Sequence, residues 1–102
     1  MIDKITWTIV NNVSDLGTAV RIKVNFFEDD AAADPEDAEI KVFDPHGLTA
    51  QTLSSMTRVT AGIYEYNFQT DTSDASGKYR ASVSFTSDSM DLVEDDITFY
   101  VE

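Results

Sequence analysis

Six carboxylates fall within ten residues, at Glu28, Asp29, Asp30, Asp34, Glu36 and Asp37, and oxygen-rich clusters of this kind are the raw material of a calcium site. Calcium takes roughly six to eight oxygen ligands converging on one point. The spacing does not follow the helix-flanked calcium loop, which alternates Asp or Asn ligands, turns on a glycine and closes with a distant Glu. Here the interior is Ala31, Ala32 and Ala33. Sandwich domains can instead hold calcium between loops at one end, and in that reading Asp29, Asp30, Asp34 and Asp37 are the candidate ligands, joined by Asp71 or Asp74 from another loop. The simpler alternative is a solvated acidic loop. Asp34 precedes Pro35, a pair that marks a turn because proline fixes φ.

Other reactive groups are sparse. His46 is the single histidine and sits in a turn beside Asp44, whereas acid-base work needs a pocket, a nucleophile and an orienting partner. There is no G-x-S-x-G elbow, no phosphate-binding glycine loop and no second histidine for zinc. Cysteine is absent, which removes disulfides, thiolate metal sites and a cysteine nucleophile. The expectation is a protein that is not an enzyme and has no cofactor unless the acidic loop binds calcium.

Nineteen acidic against seven basic residues give a net charge of -12. That field repels a phosphate backbone, so direct nucleic-acid binding is disfavoured. A large acid excess with few lysines is also what proteins working in concentrated salt carry, and a halophilic source is an expectation that follows. No apolar run approaches membrane-spanning length, and the start MIDKITWTIVNNVSD lacks the basic and apolar regions of a signal peptide. A chain starting naturally at Met1 is expected to be made in the cytoplasm and not secreted.

The elements that position these groups alternate with period two. In VRIKVNFF, Val20, Ile22, Val24 and Phe26 share one face, with Arg21, Lys23 and Asn25 on the other, the pattern of a half-buried strand. Tyr64, Tyr66 and Phe68 line one face of GIYEYNFQ, and Tyr79, Ala81, Val83 and Phe85 one face of GKYRASVSF. Further strands are read at KITWTIV (Ile5, Trp7, Ile9), AEIKVFD (Ile40, Val42) and ITFYVE (Ile97, Phe99, Val101). The serines and threonines between Gln51 and Thr60 suit an edge strand with little core contact. The acids Asp91, Glu94, Asp95 and Asp96 then guard the approach to the last strand, where charge discourages edge-to-edge pairing. Seven short strands separated by turn signals predict an all-β sandwich occupying residues 1–102 as one domain.

DTSDASGKYRASV is similar to the D-x-G-x-Y-x-C signature that opens strand F of immunoglobulin domains. Asp74, Gly77 and Tyr79 take the matching places, with one extra residue between Asp and Gly, and Ala81 stands where the cysteine would be. The resemblance implies immunoglobulin-like topology, with the Tyr79 hydroxyl bonding a backbone group upstream. From Ala19 to about Phe85 the chain also resembles the small immunoglobulin-like proteins of tailed viruses of bacteria and archaea. Asp34-Pro35, Asp44-Pro45-His46-Gly47, Gly62-Ile63-Tyr64 and Gly77-Lys78-Tyr79 carry that likeness. The end MDLVEDDITFYVE departs from the pattern. The resemblance implies a virion structural component of the head, neck or tail, with other virion proteins as partners and self-association within the assembly. The same ingredients occur in immunoglobulin-like modules of large surface or adhesion proteins, which is the alternative. A small acidic mimic of nucleic acid is a third class, disfavoured because the charges gather in loops.

On this strand reading Phe27, Phe43 and Tyr100 point away from the core-facing set, and together they are a candidate docking patch for a neighbouring subunit.

Overall fold

The computed structural model describes residues 2–10, 13–14, 17–71 and 74–102. The strands are β1 (Lys4–Val10), β2 (Val13–Ser14), β3 (Ala19–Glu28), β4 (Ala31–Ala32), β5 (Asp37–Phe43), β6 (Thr49–Ser55), β7 (Thr57–Thr60), β8 (Ile63–Gln69), β9 (Gly77–Ser87) and β10 (Met90–Val101). One sheet has the order β1-β3-β8-β7 with β4 on β3, and the other β2-β10-β9-β5-β6. These are the ABED and GFC sheets of the immunoglobulin-like sandwich, with β2 and β6 extending the second. All neighbours pair antiparallel except β2, which lies parallel to β10.

The alternation places the core as read. Val20, Ile22, Val24 and Phe26 of β3 are fully buried, as are Ile40, Val42, Ala81, Val83, Ile97 and Phe99 from the facing sheet. Two aromatic groups fill the two ends. Phe26 meets Tyr64 edge-on at 5.6 Å and Phe85 at 5.0 Å. At the other end Tyr79 stacks on Phe99 at 5.5 Å, with Phe68 5.8 Å from Tyr79. Such pairs add about 0.5–1.5 kcal/mol beyond their buried area.

Among the described residues the seven expected strands become ten: the two-residue β2 and β4 are added, the segment from Gln51 to Thr60 divides, and other details differ. Gln51 to Thr60 is two strands on different sheets: the chain crosses at Met56, which is buried and donates its N–H to the Ala38 carbonyl at 3.0 Å. The last strand begins at Met90, so the second acidic group lies within it rather than before it. What was missed is a two-residue turn at Asp88 and Ser89, with φ of 50° and 65°, between the paired Ser87 and Met90. The acidic stretch after Phe27 holds a matching turn. Asp29 and Asp30 have φ of 50° and 64°, between the paired Glu28 and Ala31. Both turns have the type I′ geometry that suits the strand twist and tolerates Asp better than most side chains.

Candidate functional site

The predicted calcium ligands are not brought together. Asp29 and Asp30 form the tip of the β3–β4 hairpin, while Asp37 opens β5 opposite Thr86. Asp34 is already engaged: its carboxylate accepts both Arg58 Nε and Nη2 at 3.1 Å and the Gly62 N–H at 2.8 Å. The Arg58 and Gly62 hydrogen bonds hold its pKa below the usual carboxylate value, and a cation at this point would face the guanidinium. Glu36 accepts the Ser89 N–H, and Asp74 accepts the Asp71 N–H. Among the described residues, the carboxylate trio whose oxygens lie within 4.8 Å of one another is Glu94, Asp95 and Asp96. It forms because Asp95 and Asp96 share a bulge opposite Ser82, between the Glu94–Val83 and Ile97–Ala81 pairs. Exposed acids on a bulged strand need no ion to explain them.

His46 stands in a turn built by Asp44, whose Oδ1 accepts the N–H groups of His46 and Leu48, both at 2.9 Å. This is a backbone-shaping role for the acid.

The strand F signature acts as its resemblance implies. The Tyr79 hydroxyl donates to the Ala75 carbonyl at 2.6 Å, and burial followed by the nearby Asp74 and Asp44 charges raises its pKa. Gly77 has φ of 137°, and a Cβ there would meet Pro45 at 3.1 Å.

The three outward aromatics do not form one patch. Phe27 is on β3, on the outer face of the first sheet, with Lys4 Nζ 5.6 Å from its ring. Phe43 and Tyr100 are on β5 and β10, on the outer face of the second sheet. Alternation fixes which residues face outward but not which sheet carries them, and that is why the grouping fails for Phe27.

The second sheet's outer face has its own organisation. Lys41 Nζ lies 5.1 Å and the Arg80 guanidinium carbon 4.5 Å from the Phe43 ring centre, both within reach of cation–π attraction. Arg80 also approaches Asp95 at 3.8 Å. Phe43, Lys78, Arg80, Asp95 and Thr98 border an open concavity of about 550 Å³, and Tyr100 pairs with Lys78 in the next row. Three of the seven basic residues thus stand on one face, two of them against the Phe43 ring, among the carboxylates Asp44, Asp95 and Asp96. The cations were visible in the sequence as the outward positions of EIKVF and GKYRA, yet only the pairing of β5 with β9 puts Phe43 opposite Arg80.

No protein-family model matches the chain, and no curated protein sequence does. Solved structures share the fold. A DUF4785 family protein of Legionella pneumophila superposes with a TM-score of 0.70 at 11% identity, over 95% of this chain and 28% of its own. The alpha-2-macroglobulin of E. coli gives 0.69 at 18% identity, over 96% of this chain and 6% of its own. An alkylpurine DNA glycosylase of Pseudomonas fluorescens, solved bound to DNA with an abasic-site analogue, gives 0.56 at 16% identity, over 97% of this chain and 30% of its own. The chain therefore spans less than a third of each of these proteins, and at such identities the likeness is one of fold.

Proposed function

We propose that this chain is a non-enzymatic docking domain that works as a structural subunit of a tailed-virus particle, as a head, neck or tail accessory protein. The observation that carries the docking role is the outer face of the second sheet. In a molecule of net charge -12, it sets Lys41 and Arg80 against the Phe43 ring, with Lys78, Asp44, Asp95 and Asp96 bordering the same concavity and Tyr100 46% exposed beside Lys78. Aromatic and arginine side chains are the residues that anchor protein interfaces. The viral setting is supported by the pattern of Asp-Pro and Gly-x-Tyr positions. Mixing the purified protein with candidate virion shells and sedimenting the particles tests both parts. The wild type should cosediment, and a Phe43→Ser, Tyr100→Ser variant should stay in the supernatant while remaining folded. Equal incorporation of the variant would sink the docking face.

A second reading is a module of a longer surface or adhesion protein. Two observations favour it: the solved neighbours hold this fold as a fraction of a longer chain, and the two ends of the domain leave at opposite poles. Ile2 bonds Ser87 at one end of β9, and Val101 pairs with Gly77 at the other. An antibody against the domain separates the readings. A band near 11.3 kDa in purified particles supports the first, and a much larger polypeptide in the cell envelope supports the second.

A further inference from the structure

The sandwich has four outer edges, and three are blunted. The edge strand β7 has four residues, a bulge at Val59 and the charged Arg58. The β6 edge shifts register twice against β5, and its Thr52 carbonyl is occupied by the Gln51 and Ser54 side chains. On the remaining side of that sheet β2 covers only Tyr100 and Val101, and the rest of β10 carries Asp91, Glu94 and the Asp95–Asp96 bulge. Short strands, bulges and charges are the devices that stop a sheet from pairing with another chain.

The fourth edge, β1, has seven residues and no bulge, and its one charge is Lys4 at the start of the strand. It pairs with β3 in unbroken register from Lys4 to Val10, and among the described strands nothing pairs with its other side. Half of its backbone N–H and C=O groups therefore face outward. The stretch from Ile5 to Ser14 has no charge, no proline and no glycine, and Ile5, Thr6 and Trp7 border an open groove of about 280 Å³.

The geometry points to β1 as a strand-addition edge whose occupant is β1 of a second copy of this chain, paired antiparallel about a twofold axis at Trp7. Two arguments select a second copy. In a molecule of charge -12 the stretch from Ile5 to Ser14 lets two copies approach without juxtaposing carboxylates, and the one charge on the strand, Lys4, falls opposite Val10 of the second copy in this register. The strand is also self-complementary: Ile5 falls opposite Ile9 and Trp7 opposite its own copy on the inner face, with Thr6 opposite Thr8 outside. That register keeps each apolar set on the core side. Pairing consumes the edge in both copies, so the assembly closes as a dimer. The contact lies on the sheet away from Phe43, so it goes beyond the docking reading and stands without it.

Sedimentation of the full chain from about 1 µM to about 1 mM brackets the affinity of a small, weak interface. It should be run at about 0.5 M salt, where net repulsion is screened. The expected result is a monomer-to-dimer transition, with the emission of Trp7, the sole tryptophan, shifting over the same concentrations. A Thr6→Lys, Thr8→Lys variant, placing lysines opposite each other outside the core, should stay monomeric, whereas Phe43→Ser should dimerise like the wild type. A wild type that remains monomeric at the highest concentration with unchanged Trp7 emission overturns the inference, whether or not an extended peptide occupies the edge instead. Polymers larger than dimers, or a lysine variant that is folded and dimeric, overturn it too.

Discussion

In the stretch that first suggested a metal, Asp34 is a structural acid. Its three hydrogen bonds tie the segment before β5 to the β7–β8 turn through Arg58 and Gly62. Because its folded pKa is depressed, the stability it contributes is present above the unfolded Asp value of about 3.9 and is lost as pH falls through the lower folded value. Solvent screening keeps the effect modest. An Asp34→Asn variant should therefore melt below the wild type at neutral pH, and the two melting curves should converge as the pH falls through the depressed folded value. A gap that persists undiminished in acid would show that the carboxylate's charge is not what matters. The sequence shows Asp34-Pro35 as a turn, but it does not show that Arg58, 24 positions away, is the partner.

Gly62 shows how one residue joins elements. Its carbonyl accepts the Phe26 N–H at 2.7 Å, its φ is 73°, and a Cβ would lie 2.8 Å from the Phe26 carbonyl oxygen. Gly62→Ala combines a left-handed conformation with a backbone clash, and should cost about 2 kcal/mol or more by chemical denaturation; a loss under about 0.5 kcal/mol would mean that the turn relaxes freely. The long strands were legible because their inward sets are apolar and strictly alternating, as in Val20 to Phe26. The first half of β10 was not: Met90 to Asp96 is rich in acids, which are poor strand formers. The turn that starts it uses Asp88 and Ser89 at positive φ, without a glycine to announce it. The crossing at Met56 was equally silent, since a change of sheet leaves no mark on alternation. Of the docking face, the outward residues were legible and their grouping was not.

At the scale of the whole molecule, charge and shape act together. The body measures 41 × 21 × 18 Å and carries -12. At about 0.01 M salt the screening length is about 30 Å, so carboxylates repel one another across most of the domain, while at about 1 M it is about 3 Å. The melting temperature should rise steadily between these limits, as a salt-adapted protein requires; equal stability at both ends would remove the case for a halophilic source. The opposite placement of the two ends has a mechanical consequence. Tension applied between Ile2 and Glu102 runs along the strands, so the seven residue pairs of β1 with β3, and the short parallel contact of β2 with β10, are loaded in shear. Their hydrogen bonds must then yield together instead of unzipping one at a time, and the same terminal strand that offers an edge to a neighbour also bolts the domain against being pulled open.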